Sequence, residues 1–362
     1  MRQYRVDIFD RKLNFVINDV VTLSRIDDDY ISSKANTLDI RPTSLVSAGD
    51  FMLLKNDLTE FFGVITDVAP GEHRTSITYK SFITIFDETF LFDTKKQGTS
   101  SASHPTLEQT IKDYITSLYI TTTDTYQRLP ILVSIASGTQ TSKWSLGITP
   151  DTEGGRYSII HLYSVLIVEA LKKYGVGISV APNFSSKTIS LVIGKRSANF
   201  NIDGNLKNVT VATLKYNDKP TGVNKLIVHN TEDYSQSVTF YVHPDRSWDT
   251  ENTNRISPVS KQVTGTAPDQ EYEDPDEGFA VSAVDSAYSI LEGQQWDNLI
   301  ELEVSPTDKN IQPLDMEVGQ TVTLMYKDGK YKSILTGKII EPELITLLFG
   351  SERIEYSKSF RR

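Results

Sequence analysis

The residues that could do chemistry in this chain are few and widely spaced. It has no cysteine, and its five histidines are dispersed: His73, His104, His161, His229 and His243. A thiol nucleophile, a disulfide framework and a cysteine-based metal site are therefore excluded. The zinc-protease, nucleophile-elbow and phosphate-loop motifs are also missing from the sequence. The sequence thus predicts no catalytic, metal-ligating or cofactor-binding residue, and a protein that is not an enzyme.

Two polar clusters look like sites but have simpler interpretations. Residues 243–249 place histidine, aspartate, arginine and tryptophan directly after a predicted strand, where such clusters usually form a turn. Residues 266–278 hold six acidic side chains and no basic one. They lack the glycine and the alternation of a calcium-binding loop. We interpret this second segment as an exposed acidic loop.

Composition and charge limit the class of protein further. The chain has 362 residues, enough for two or three domains. It carries 37 Lys and Arg against 47 Asp and Glu, for a net charge of -10. This balance opposes specific nucleic-acid binding. The first residues contain no apolar signal core, and the apolar stretch 159–168 is about half of a bilayer span. We therefore expect neither secretion by a signal peptide nor a membrane span.

The elements that position these residues are mostly short strands. Alternating apolar residues and turn signals predict a sandwich or small barrel in the first hundred residues. A capped helix is predicted from Thr106, and a second, buried helix over 158–174, ending at Gly175 in a left-handed cap. A hairpin over 177–193 follows. The residues predicted to form the core of the second helix are Ile159, Leu162, Leu166 and Leu171.

A partial repeat links the two ends of the chain. In each copy a glycine followed by a polar residue opens a strand, and a second strand with a central glycine follows. The paired positions are Gly49, Asp50, Gly63 and Ile65 in the first copy, and Gly319, Gln320, Gly337 and Ile339 in the second. The glycine spacing differs by four residues, which a hairpin loop can absorb. The copies are either two unrelated hairpins or two related β-barrels.

These patterns together predict an α+β, mostly β fold, in which two small β-barrel-like domains bracket an α+β middle region. The predicted divisions are an N-terminal barrel-like domain at 1–98, an α+β domain with two helices and a hairpin at 99–205, a β-rich connecting region with the acidic loop at 206–280, and a C-terminal barrel-like domain at 281–362.

The same motifs resemble those of baseplate hub proteins of tailed bacteriophages, including the amino-terminal modules of tail-associated lysins. The segments that carry the resemblance are 298–305, 314–324 and 333–339, with Gly49-Asp50 and residues 62–65 near the start and the helix and hairpin of 158–193 between them. The resemblance spans nearly the whole chain in domain order.

The resemblance implies a structural, non-enzymatic role. Hubs of this family are homotrimers whose two barrels per chain form a pseudo-sixfold collar around a DNA channel, adapting a six-fold tail to a three-fold tip. It implies a location in the virion tail, assembly in the host cytoplasm, and roles in host cell attachment and DNA ejection. The implied partners are further copies of the chain, a distal tail or tube protein, a tape-measure protein, and a tip, spike or receptor-binding protein. An acidic wall would suit a channel that must not bind DNA. Because no peptidase or muramidase module follows the second barrel, wall hydrolysis would come from another chain.

The alternative is a carbohydrate-active protein, either a glycoside hydrolase or a module that binds host wall polymers. It is suggested by the β-rich composition, the many carboxylates and the aromatic side chains Trp144, Trp248 and Trp296. Paired carboxylates could hydrolyse a glycosidic bond, although the sequence singles out no pair.

Overall fold

A computed structural model describes residues 2–351 except 33, 99–104, 139, 153–154, 197–198, 216–222, 244–246, 254–260, 268–277, 292–295 and 297. The strands are β1 Arg2–Phe9, β2 Phe15–Leu23, β3 Ile26–Asp29, β4 Asn36–Ile40, β5 Phe51–Lys55, β6 Glu60–Pro70, β7 Thr75–Ser81, β8 Thr89–Asp93, β9 Ile131–Ile135, β10 Tyr157–His161, β11 Val176–Asn183, β12 Thr188–Lys195, β13 Asn199–Asp203, β14 Val209–Lys215, β15 Val223–Asn230, β16 Ser237–Val242, β17 Trp248–Asp249, β18 Lys261–Ala267, β19 Leu299–Val304, β20 Thr321–Tyr326, β21 Gly329–Ile340 and β22 Ile345–Phe349. The α-helices are α1 Leu107–Ile115, α2 Val168–Tyr174 and α3 Gly278–Leu291. The predicted mostly β, α+β class is confirmed.

The N-terminal domain is a six-stranded antiparallel sheet in the order β2-β1-β5-β6-β7-β4. Strands β4 and β7 alternate buried with less buried side chains, as a sheet with one face on a core requires, whereas β5 is buried on both faces over Phe51–Leu54. The sheet curls so that its two edge strands approach each other. Arg41, just after β4, donates from its backbone N–H to the Asp19 carboxylate and from its guanidinium to the Asn18 carbonyl of β2.

The middle of the chain combines helices with two small sheets. Strands β8 and β10 form an antiparallel ribbon, and β11-β12-β9 form a second sheet, in which the predicted hairpin of β11 and β12 is confirmed. Helix α1 begins at the predicted cap, where the Thr106 hydroxyl accepts the Gln109 N–H at 3.2 Å. It continues into a π-helical turn over Thr116–Ile120. Short 3₁₀ turns occupy Phe82–Phe86 and Thr94–Lys96.

The second predicted helix begins later than the sequence pattern indicates. Residues Tyr157–His161 form strand β10, a π-helical turn spans Leu162–Ile167, and α2 follows. Placing Ile159 in the buried helix is therefore wrong: it is 65% exposed and lies opposite Leu91 on the outer face of the ribbon. The alternation of burial along β10 covers only five residues and leads directly into the apolar helical stretch, so the helical spacing of the following residues masked it.

The rest of that helix is the centre of the middle core. Its predicted core residues Leu162, Leu166 and Leu171 are fully buried. Gly175 adopts φ +69°, and its N–H bonds to the Leu171 carbonyl at 3.0 Å, so the left-handed cap is confirmed.

The C-terminal domain is a second curled sheet in the order β13-β20-β21-β22-β19-β14. Two of its strands come from earlier in the chain, because β13 pairs in parallel with β20 and β14 pairs antiparallel with β19. The four-part division of the chain remains a prediction. These pairings connect its second part, through β13, and its third part, through β14, to the fourth.

The described residues between β14 and β19 form a small unit of their own. Its sheet has the order β17-β16-β15-β18, and α3 covers one face through a core of Leu226, Val228, Phe240, Ala283 and Ala287. The sequence pattern did not predict α3, and the expected boundary between residues 280 and 281 falls within it. Most of the predicted acidic loop, residues 268–277, lies outside the described residues.

Candidate assembly interface

The turn at Gly49-Asp50 fixes the start of β5. Gly49 has φ +92°, a conformation that favours glycine. The Asp50 carboxylate accepts the Ser47 backbone N–H at 2.8 Å. Across the sheet, the Gly49 N–H donates to the Ile65 carbonyl at 2.8 Å, and the Ile65 N–H donates to the Asp50 carbonyl at 2.9 Å. Burial raises the pKa of Asp50, while the bond from Ser47 opposes that rise.

The turn at Gly319-Gln320 repeats this geometry bond for bond. Gly319 has φ +91°, and the Gln320 side-chain oxygen accepts the Glu317 N–H at 2.7 Å. The Gly319 N–H donates to the Leu335 carbonyl at 2.9 Å, and the Leu335 N–H donates to the Gln320 carbonyl at 2.8 Å. Every one of these residues lies 270 positions after its counterpart. Asp50 and Gln320 stabilise their turns in the same way, because each side chain supplies an oxygen that accepts a backbone N–H.

A matching irregularity follows in the next strand of each domain. The register of β6 against β7 shifts after residue 65, and that of β21 against β22 shifts after residue 335. The displaced residues are Thr66 and Thr336. Their hydroxyls donate to the carbonyls of Thr78 at 3.2 Å and Leu348 at 3.1 Å, which again are 270 residues apart. Three strands of the two domains therefore correspond with no insertion between them.

The bonds and register shifts of the two domains recur at a separation of 270 residues, and at that separation the glycines pair differently from the sequence alignment. With the constant separation, Gly63 corresponds to Ser333, and Gly337 corresponds to Asp67. Each glycine has its own local cause: a Cβ on Gly63 would lie 2.5 Å from the Lys80 carbonyl oxygen, whereas one on Gly337 would strike strand β3. Aligning glycine to glycine introduced a four-residue spacer that the structure does not contain.

The isoleucines predicted to match are also displaced. Ile65 corresponds to Leu335, and both are buried. Ile339 corresponds to Ala69, and only Ala69 is exposed. This difference in exposure marks the place where the two domains meet.

Strand β3 of the first domain pairs with β21 of the second. The pairing is antiparallel and joins Ile26–Asp29 to Gly337–Ile340. The next residue continues it, because the Tyr30 N–H donates to the Thr336 carbonyl at 3.0 Å and Tyr163 donates to the Tyr30 carbonyl at 2.6 Å. One continuous apolar core spans both domains. The sequence pattern missed β3, because three consecutive aspartates, Asp27 to Asp29, lack the apolar alternation by which a strand is identified.

The junction encloses opposite charges. Burial raises the pKa of Asp28, while the nearby Lys338 ammonium and a hydrogen bond from Ser81 oppose that rise. Burial lowers the pKa of Lys338, while the negative charges of Asp28, Asp315 and Glu317 act to raise it. The Lys338 Nζ donates to a backbone carbonyl of the same domain at 3.0 Å. Asp28 and Lys338 face each other across the two strands, so each compensates the other's buried charge.

A cavity of about 320 Å³ lies at the junction. Both β domains and the middle region line it, with Asp28, Tyr30, Arg196, Glu317 and Lys338 among its polar groups. Arg196 and Glu317 form an ion pair at 3.3 Å. A polar cavity of this size at a three-way contact has room for several ordered waters.

The histidines that the structure describes form no larger constellation. The His243 imidazole lies 3.1 Å from the Asp249 carboxylate, and that of His161 lies 3.4 Å from Asp87. Among the residues that the structure describes, no three His, Asp or Glu side chains come together as metal ligands would. His104 lies outside that set.

The tryptophans that suggested a carbohydrate site belong to the cores. Trp144 is fully buried, and its indole N–H donates to the Pro105 carbonyl at 3.0 Å. Trp296 is 8% exposed, and Trp248 packs edge-on against Phe240. A site that stacks sugars on tryptophan requires exposed ring faces close together, and the three tryptophans do not form such a surface.

No helix within the described ranges is long and apolar enough to cross a bilayer.

Comparison with known proteins gives matches in structure alone. No family model matches the chain, and no curated protein matches its sequence. Among solved structures, the chain is similar to a component of the phage P2 virion baseplate in its activated conformation (TM-score 0.48, 12% identity, covering 97% of this chain and 100% of that one). It is also similar to the 43 kDa tail protein of prophage MuSo2 from Shewanella oneidensis (TM-score 0.47, 11% identity, 95% and 98% covered).

A third similar structure is the prophage tail protein gp18 from Listeria monocytogenes, with a TM-score of 0.43, 12% identity, and 98% and 96% of the two chains covered. These neighbours are phage baseplate and tail proteins, the class that the sequence motifs resemble.

Proposed function

We propose that this chain is a structural hub of a phage baseplate or tail tip, and that it assembles as a homotrimer. The observation that carries the proposal is the internal repeat: two β domains with the same turn, bulge and register, in direct contact through β3 and β21. Three such chains would present six similar domains around one axis.

This arrangement gives a role to the duplication. A ring of six similar domains matches a six-fold tail on one side, while the non-repeated middle region and the β14–β19 unit occur three times and match a three-fold tip. The central channel would pass DNA, and the net charge of -10 disfavours binding to phosphates. The proposed partners are a distal tail or tube protein, a tape-measure protein, and a tip, spike or receptor-binding protein. The proposed role is structural and non-enzymatic.

The test is the mass and symmetry of the full chain. Native mass spectrometry at micromolar concentration, alone and with the distal tail protein of the same genome, should give three copies. Class averages from electron microscopy should show a ring with six lobes. A chain that stays monomeric under both conditions, or that forms a two-fold dimer, would contradict the proposal.

A further inference from the structure

The contact between the two β domains contains one pair of residues whose chemistry the fold of a single domain does not require. Asp28 of β3 and Lys338 of β21 lie directly opposite each other in the antiparallel ladder. At the position 270 residues before Lys338, Val68 packs against the apolar core instead. Because a buried ion pair seldom stabilises a protein more than apolar side chains of similar size, the two charges need a further explanation.

The two strands approach each other closely at this point. A Cβ on the neighbouring residue Gly337 would lie 2.8 Å from the Asp29 Cα. Residues directly opposite each other in an antiparallel pair project to the same face, with Cβ atoms about 4.5–5.5 Å apart. A lysine side chain is long enough to span that distance. The Lys338 Nζ donates to the Leu314 carbonyl at 3.0 Å, so it reaches the Asp28 carboxyl after rotation of its own side-chain torsions.

The surroundings of the pair favour its uncharged form. Asp28 and Lys338 both line the junction cavity of about 320 Å³. Burial raises the pKa of Asp28 and lowers the pKa of Lys338. Both shifts act in the same direction, since proton transfer from the ammonium to the carboxylate turns a buried ion pair into an amine and a carboxylic acid. A neutral lysine amine is a nucleophile, and desolvation is one way in which proteins activate it.

We propose that the chain forms an amide bond between the Lys338 Nζ and the Asp28 Cγ, which joins its two β domains covalently. The amine nitrogen attacks the carboxyl carbon, and the carboxyl hydroxyl leaves as water with one proton from the nitrogen. One N–H bond and one C–O bond break, one C–N bond and one O–H bond form, and no oxidant or cofactor takes part. Glu317 lines the same cavity and supplies a carboxylate that can carry the proton.

Such a bond would hold the two domains together under load. It closes a covalent ring of the chain from residue 28 to residue 338, so the first domain stays attached to the second even when the contact between β3 and β21 opens. A cross-link across so long a segment also restricts the unfolded chain. Both residues belong to one chain, and the bond therefore does not depend on the homotrimer.

The mass of the purified full chain tests the bond directly. After incubation of the folded protein at neutral pH, the denatured chain should be lighter than its sequence by one water molecule. Because an amide at Lys338 blocks trypsin there, the digest should contain residues 26–34 joined to residues 333–353. The matched control Lys338→Arg keeps the positive charge but forms no amide, so it should show the full sequence mass. Asp28→Asn should lose one ammonia molecule in place of water, because the leaving group changes.

Two results would overturn the proposal. The first is a wild-type chain that keeps its full sequence mass after prolonged incubation. The second is a loss of water located elsewhere, such as a succinimide at Asp328 and Gly329, with the peptides of β3 and β21 found separately. Both readings use the wild-type chain, so they hold even where a variant fails to fold. A monomeric chain that carries the bond would contradict the homotrimer and leave this inference standing.

Discussion

Gly337→Ala should open the contact between the two β domains. The new Cβ would lie 2.8 Å from the Asp29 Cα and 3.1 Å from the Asp28 carbonyl oxygen, both in the backbone of β3. Carbon atoms in ordinary contact are about 3.5–4.0 Å apart, so the strands must separate by about 1 Å near this residue. Hydrogen bonds near 2.9 Å would then exceed the range in which they contribute.

The expected cost follows from the size of that ladder. Four residue pairs join β3 to β21, and the substitution disturbs the ones beside Gly337. Two lost hydrogen bonds at about 1 kcal/mol each, together with residual strain, give about 2–3 kcal/mol. Amide hydrogens of β3 should exchange roughly 30- to 150-fold faster if their exchange follows opening of this contact.

Hydrogen exchange measured by mass spectrometry on the peptide containing β3 is the assay, and urea denaturation is the second readout. The matched control is Asp67→Ala, at the corresponding position of the first domain, where a side chain is already present and exposed. It should leave exchange in β3 unchanged and alter stability by less than about 0.5 kcal/mol. If β3 is equally protected in the Gly337→Ala chain, the close approach of the two domains is not as described.

Three further substitutions test the repeat, the junction and the middle core. Thr336→Val removes the one hydroxyl proton that the buried Leu348 and Gly350 carbonyls share, and should cost about 1–3 kcal/mol in chemical denaturation. Thr66→Val, at the exposed counterpart, should cost less than about 0.5 kcal/mol; equal losses would contradict the difference in burial. Lys338→Met removes a cation whose attraction partly offsets the raised pKa of Asp28, so that pKa should rise further and the native carboxyl should bind its proton more tightly. The loss of stability relative to wild type at pH 7 should therefore shrink as the pH falls through the pKa of Asp28. A deficit that grows on acidification in pH-dependent denaturation would refute this sign. Leu162→Asp should lower stability by several kcal/mol because the side chain is fully buried; unchanged thermal melting of a soluble variant would contradict it.

Turn chemistry made the repeat visible in the sequence. A glycine with positive φ before a residue with a side-chain acceptor is a local requirement, so Gly49 and Gly319 could be identified without knowing the fold. Gly63 and Gly337 could not be matched in the same way. Gly63 is required because a neighbouring carbonyl lies close to it, and Gly337 because a crossing strand does. Neither neighbour is close in sequence to the glycine that it contacts.

The junction was missed for a related reason. Strand β3 is short, and three of its four residues are aspartates, a residue type that is depleted in strands. Its formation depends on groups from distant parts of the chain: the Asn36 side chain bonds both backbone groups of Asp27, and Tyr163 bonds the Tyr30 carbonyl. Helix α3 was missed because it follows an acidic, proline-containing segment that predicts a continued loop.

The two copies of the repeat match only in the features that one domain needs to fold, and this limit bears on assembly. The turn, the bulge and the strands β5–β7 match β20–β22 residue for residue, yet the next strand is antiparallel in the first domain and parallel in the second. The positions that face a neighbouring domain also diverge: Gly337 lies where β3 passes closely, whereas Asp67 lies where no strand among the described residues does. A chain that folds before it assembles needs this difference: the internal contact can form as a tight ladder during folding, whereas the same ladder left open on β6 would be an edge available to any strand. Asp67 and Pro70 prevent that, because a charged side chain and a residue without an N–H both discourage a further strand from pairing with this part of β6.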